Sequence, residues 1–223
     1  MKKATLNYGP VALLLLATSC APTRFVKVFE KDQKALAFSF GGPVIKFAGA
    51  AIPIPFSTLT YGRGITNTCT GFGSLHTTSL LFGNVQADAG AVLRIFEKEK
   101  KMGLTTTPGA QIAFKPGSSG TFRLWPSLDI NCYVHFNDRT SFAYGGINSW
   151  VELATKRAHG ENQTRHLIPN LHIGYTFVRT RWQHQFEVKY LGIGIPNMPG
   201  VVDYIGVSGK GTLGIYYCVA RKF

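Results

Sequence analysis

The chain alternates apolar and polar residues over stretches longer than an ordinary soluble strand, and this pattern constrains the fold more than any other feature. It is clearest over 122–136. Phe122, Leu124, Pro126, Leu128, Ile130, Cys132, Val134 and Phe136 share one parity, while Arg123, Trp125, Ser127, Asp129, Asn131, Tyr133 and His135 share the other. Successive side chains of a strand point to opposite faces, so a period of two separates one apolar face from one polar face. Segments 85–96, 167–180 and 182–193 repeat the pattern, and weaker alternation marks 35–42, 57–65, 68–78, 104–114 and 140–154. No segment sustains a helical period, so helices are expected to be short or absent. Soluble strands run to about five or six residues, whereas a tilted strand that crosses a bilayer needs about nine to eleven. The expected fold is all-β: an antiparallel up-and-down transmembrane β-barrel over residues 35–223, of about ten strands, with eight as the alternative.

The segments between the alternating stretches support this. Odd-numbered connections tend to be long and even-numbered ones short, as in a membrane barrel with turns at one rim and loops at the other. The charged stretch Glu97–Gly103 is the exception. Pro108, Pro126 and Pro169 fall inside proposed strands, where each removes a ladder donor. They need bulges or rim positions, and a soluble β-domain held to the membrane only by lipid stays open as the competing architecture.

The amino-terminal end carries an address. Lys2 and Lys3 precede the apolar run Val11–Ala17, which is too short to span a bilayer and has the form of a secretory signal. It ends in Leu16-Ala17-Thr18-Ser19-Cys20, which resembles the lipobox of bacterial lipoproteins. That resemblance implies a signal peptide over 1–19, cleavage before Cys20, and palmitate-type acyl chains on Cys20, with residues 20–34 as a short charged tether. At the other end, Thr212-x-Gly214-x-x-Tyr217-x-Val219 finishing in Phe223 is similar to the carboxy-terminal β-signal of outer-membrane barrels. Leu213, Ile215, Tyr217, Val219 and Phe223 lie on one parity, which the resemblance assigns to lipid. Together the two resemblances imply a lipid-anchored protein of the bacterial outer membrane.

Composition narrows the partners. The formal charge is +13, or +11 once Lys2 and Lys3 leave with the leader. That balance favours anionic partners such as membrane lipid headgroups or lipopolysaccharide, with envelope proteins as a further class. Nucleic acid is excluded as a partner by the export signal and by basic residues that form no stripe or basic–aromatic motif. Cys69, Cys132 and Cys218 are odd in number and contain no CxxC pair, which argues against a disulfide framework or a zinc site. No metal site and no cofactor are expected; His159 and His166, around a polar loop containing Glu161, match no ligand spacing.

The polar parities place Asp88, Arg94, Arg123, Asp129, Glu152, Glu187 and Lys189 inside the barrel. Charges of both signs in a narrow interior must pair, so they read as an ion-pair plug ahead of a pore. A catalytic site is not expected. The weak alternative is a Ser74–His76 pair, a hydroxyl and an imidazole on one strand parity, of the kind a membrane-embedded lipid hydrolase or acyltransferase would use. No G-x-S-x-G elbow accompanies it. The function expected is therefore structural or envelope-ligand-binding. A lipid-modifying enzyme and a narrow pore are the alternatives. The apolar Pro/Gly-rich segments 43–56 and 192–200 either pack on themselves over the barrel mouth or meet a lipid or protein surface.

Overall fold

A computed structural model describes residues 24–136, 141–156, 162–197 and 202–223. The proposed signal peptide, Cys20, His159 and Glu161 lie outside the described residues. The strands are β1 (Lys34–Phe47), β2 (Ala50–Pro53), β3 (Phe56–Thr66), β4 (Cys69–His76), β5 (Val85–Lys98), β6 (Met102–Phe114), β7 (Arg123–His135), β8 (Phe142–Val151), β9 (Leu167–Val178), β10 (Trp182–Pro196) and β11 (Lys210–Lys222). One short helix, α1 (Thr77–Leu81), follows β4.

From β3 to β11 each strand pairs antiparallel with the next, and β1 closes the ring by pairing with β3 on one side and with β11, from Ala35–Lys222 to Pro43–Gly214, on the other. β2 pairs only with the far end of β1, Val44–Phe47. The wall is thus a closed barrel of ten strands with a small hairpin projecting from it. Closure gives each of the ten wall strands two neighbours and leaves the wall no open edge.

The alternation sets the faces. In β1, Leu36, Phe38 and Phe40 are exposed on the outside, while Ala35, Ala37 and Ser39 are buried in the lumen. In β7, Leu128, Ile130 and Val134 face out, and Asp129, Asn131 and Tyr133 face in. In β10, Phe186 and Val188 face out, against Gln185, Glu187 and Lys189. Ile215 is exposed on the outer face of β11 and Phe223 just past its end, while Tyr216, Cys218 and Ala220 are buried within. The molecule is apolar outside and polar inside, the reverse of a soluble domain.

The two rims differ. The turns after β3, β5 and β9 are short, and the chain enters β1 and leaves β11 at that same rim. The stretch 97–103 conforms after all. β5 and β6 extend to Lys98 and Met102, leaving a tight turn with positive φ at Glu99 and Lys100. The opposite rim carries α1 and the segments 115–122, 152–156, 162–166 and 202–209. There the segment after β10 folds back on the β1 extension, through Lys46 N to Asp203 O at 2.9 Å and Ile205 N to Val44 O at 2.9 Å. The apolar stretch around Val44 thus packs on the chain itself.

Each of the three prolines expected inside strands sits where one ladder lapses. Pro126 lies one residue beyond the β7–β8 ladder, which begins at Ser127. Pro169 lies beyond the β9–β10 ladder, which ends at Leu171. Pro108 lies opposite a gap in the β5–β6 pairing between Gly90 and Leu93. A missing N–H costs little where no partner carbonyl is waiting.

One expectation fails. Over its described part, residues 24–33, the charged stretch expected as a tether runs inside the barrel. Val26 O accepts from Thr105 Oγ1 at 2.8 Å, and Phe29 N donates to Thr70 Oγ1 at 2.7 Å. Asp32 N donates to Gly64 O at 2.9 Å. Phe25, Val26 and Phe29 are buried, with Phe25 and Phe29 packed on Ala35, Ala37, Val92, Cys218 and Ala220. The segment is amphipathic without a regular period, so its apolar side chains find in the lumen the cover that a free tether would deny them.

Candidate functional site: the lumen and its plug

The plug lies against the β1, β3 and β4 side of the barrel because the inward residues there are small. Ala35, Ala37, Ser39, Thr58, Thr60, Gly62, Gly64 and Thr70 line that wall. A Cβ on Gly62 would lie 2.5 Å from the Phe25 ring, and one on Gly64 would lie 1.9 Å from the carbonyl oxygen of Glu30. Both glycines are required by close approach of the plug. The opposite wall carries large inward residues, among them Trp125, Tyr133, Tyr144, His172 and Lys189.

Arg24 seats the inner end of the plug. Its guanidinium pairs with Asp88 of β5, its Nε donates to Ser74 Oγ at 3.0 Å, and its Nη2 lies 3.4 Å from His76 Nε2. The same His76 nitrogen is 2.8 Å from Asp88 Oδ2 and 3.0 Å from Gln111 Nε2. Thr60 Oγ1 donates to Ser74 Oγ at 2.9 Å. Among the described residues no hydrogen bond joins Ser74 to His76. The two come together on one wall, but Arg24, Asp88 and their neighbours take up the hydroxyl and the imidazole nitrogen that a nucleophile–base pair would use.

Lys27 anchors the middle of the plug, 3.3 Å from Glu97 Oε1 and 2.7 Å from His135 Nε2. Glu97 also accepts from Arg94 Nη1 at 2.7 Å and from Tyr133 Oη at 3.1 Å. Deeper in the wall, Glu187 lies 3.3 Å from Lys189 and accepts from Tyr144 Oη at 2.8 Å. Asp129 accepts from Asn131 Nδ2 at 3.0 Å and lies 3.7 Å from His172 Nε2. Glu152 stands just beyond β8 and accepts from Trp125 Nε1 at 2.7 Å. Arg123 opens β7 at the long-loop rim and is half-buried. Asp88, Arg94, Asp129, Glu187 and Lys189 are thus luminal, and Glu152 and Arg123 sit at the mouth. Lys27 and Arg24, which bind the plug to this network, were not singled out from sequence. The available signal was a row of small inward residues facing a row of large ones.

Space remains on both sides of the plug. Towards the short-turn rim a cavity of about 280 Å³ lies between the plug and the wall at Phe142, Thr176, Gln183 and Gln185. Towards the long-loop rim a smaller one, about 90 Å³, has Arg24 and Phe25 as its floor and Trp125 and Trp150 in its wall.

These features define a closed β-barrel with an apolar outer belt and a lumen occupied by its own amino-terminal segment. No family model and no curated protein matches the chain. Solved structures of similar shape include the translocator domain of the autotransporter NalP from Neisseria meningitidis, at 10% identity and a TM-score of 0.48 over 89% of this chain and 91% of that one. The NanC porin aligns at 9% identity and a TM-score of 0.43 over 86% of this chain and 100% of that one. The outer membrane protein OprG from Pseudomonas aeruginosa aligns at 10% identity and 0.31 over 89% and 99%. The neighbours are outer-membrane β-barrel proteins, and at these identities and scores the likeness carries nothing about role.

Proposed function

We propose that the protein is a lipid-anchored barrel of the bacterial outer membrane with a structural or envelope-ligand-binding role, its lumen closed by residues 24–33. The observation that carries the role is the plug: buried side chains, backbone hydrogen bonds and the Arg24–Asp88 pair fill the path that a solute would take. The location rests on the outer surface. β9 has 12 residues, which at ~3.3 Å per residue and ~40° of tilt span about 30 Å, the thickness of the hydrocarbon core. Exposed Phe136, Phe177, Trp182 and Phe223 gird the short-turn rim, with Arg221 over the Trp182 ring at 5.7 Å. Aromatic girdles mark the depth of the headgroups. Exposed Lys34, Arg63, Lys98, Lys100, Lys101, Arg179 and Arg181 lie at the same rim against Asp32 and Glu99, which suits anionic headgroups. The anchor rests on the lipobox-like residues before Cys20.

A narrow gated pore is the second reading, favoured by the cavities on either side of the plug. The lipid-modifying alternative has no such support, because Ser74 and His76 serve the Arg24 seat. The test joins two measurements on the detergent-extracted protein. Electrophoretic mobility in SDS is expected to change on boiling, and planar bilayers containing the protein are expected to show no stable conductance. Steady channel openings would replace the binding role with the pore. An unchanged mobility, with release from membranes once the acyl chains are removed, would mean a soluble domain on a tether.

A further inference from the structure

We propose that the cavity on the long-loop side of the plug is a binding cup for an uncharged saccharide, with the edge of a terminal sugar ring entering its ~90 Å³ and the rest standing in the barrel mouth. The inference rests on the envelope-ligand-binding reading above and gives it a ligand class. Trp125 is the third residue of β7 and Trp150 the penultimate residue of β8, so both stand next to the rim. They lie on the same luminal wall one register step apart, since Trp150 pairs with Ser127. Such diagonal neighbours have Cα atoms ~7–8 Å apart; Trp150 backs onto Leu191 and Tyr216, and both indoles contribute surface to the cavity. An indole that lines a cavity is a platform for the C–H face of a sugar, because the ring's negative quadrupole meets polarised C–H groups.

The polar lining completes the match. Gln111, Asp88 and Asp129 bring amide and carboxylate groups held in place by His76, Arg24 and Asn131, and the Thr107 hydroxyl is buried beside the cavity with no hydrogen-bond partner. A buried hydroxyl left without a partner is costly unless a ligand or water meets it. Hydroxyl-rich ligands both donate and accept, which suits a mixed set of amide, carboxylate and hydroxyl groups. The charges in the lining balance, Arg24 and Lys189 against Asp88 and Asp129, so the cup offers no net field to an anion. Its floor is the plug itself, through Arg24 and Phe25. A ligand entering from the loops therefore meets a closed bottom, which makes the site one of capture and not of passage.

The test uses full-length protein in detergent carrying Trp182→Phe, so that emission comes only from the two luminal indoles. Maltotriose and lactose serve as neutral probes, with glucuronate and inorganic phosphate as anionic ones. A saturable change in emission with a neutral sugar is expected in the millimolar range, weakened at least tenfold in Trp150→Ala and less in Trp125→Phe, which keeps a ring. Heat-modifiable mobility is measured on every variant, so that loss of the barrel is distinguished from loss of the cup. Three results would overturn the proposal: no saturable response to either neutral sugar, an equal or stronger response to glucuronate or phosphate, or an unchanged response in a folded Trp150→Ala. If the mobility shift itself is absent from the parent protein, the failure belongs to the membrane-barrel reading.

Discussion

Arg24→Ala should free the inner end of the plug while leaving the barrel intact. In the folded protein the guanidinium pairs with Asp88, donates to Ser74 Oγ at 3.0 Å and approaches His76 Nε2 at 3.4 Å. Removing one member of a buried ion pair costs about 3–5 kcal/mol, because the partner charge stays buried. Asp88 keeps His76 at 2.8 Å, which places the loss near the lower end, about 3 kcal/mol. At 1.36 kcal/mol per tenfold, that raises the population of the unseated plug on the order of 100-fold. Hydrogen–deuterium exchange reads it directly. The Phe29 amide, bonded to Thr70 Oγ1, and the Asp32 amide, bonded to Gly64 O, should exchange faster by that factor. Amides of the β7–β8 ladder should not change, since local opening is reported residue by residue. Adding Asp88→Ala should restore much of the protection, because no uncompensated carboxylate then remains. Two outcomes refute the reasoning: exchange within a few-fold of the parent at Phe29, or equal acceleration throughout the wall.

Gly64→Val should exclude the plug at its outer end, because its Cβ would fall 1.9 Å from the Glu30 carbonyl oxygen. Mobility in SDS should stay heat-modifiable while protease reaches residues 24–33 from the short-turn side, and resistance to protease would count against the docking described. Ile173, two-thirds exposed at 67% in the middle of β9, should tolerate no charge. Ile173→Arg is expected to lose about 2–4 kcal/mol of stability in lipid, read from urea titration in vesicles, and a loss below ~1 kcal/mol would place that face outside the hydrocarbon. Cys20→Ser should abolish incorporation of an alkyne-labelled palmitate in cells, and persistent labelling would assign the lipid to another residue.

Much of the wall was legible because a barrel in lipid writes its fold into parity. The contrast between Ile130 and Asn131, or Val188 and Lys189, is sharp because hydrocarbon and a polar lumen impose opposite demands on adjacent residues. The strands predicted weakly, such as 68–78, are those whose two faces differ least in polarity. In β4 the luminal residues are Thr70, Phe72, Ser74 and His76, and glycines stand between. The plug was illegible for a different reason. Arg24, Lys27, Glu30 and Lys31 give residues 24–33 the composition of a solvated linker, and nothing periodic shows that Phe25 and Phe29 are to be covered. What decides the matter is volume: Gly62, Gly64 and Ala37 leave a furrow that only another segment of chain fills. Pairings of charge were equally hidden. Asp88 and Arg94 were readable as luminal, but their partners, Arg24 from the plug and Glu97 beyond a bulge between Arg94 and Phe96, depend on register that parity does not give.

The seam between β1 and β11 gives the plug a direction of travel. Those strands are the first and last of the wall, paired from Ala35–Lys222 to Pro43–Gly214. The wall therefore encircles residues 24–33 like a ring drawn around a finger, and the ring closes only when the final strand arrives. Once it is shut, the segment has no sideways door, because leaving through the wall would break a whole ladder at once. Its sole freedom is along the axis, on a leash fixed at Lys34, where Lys34 N meets Phe223 O at 3.0 Å. Any release of the plug at Arg24, Lys27 and Phe29 is therefore a release along the axis.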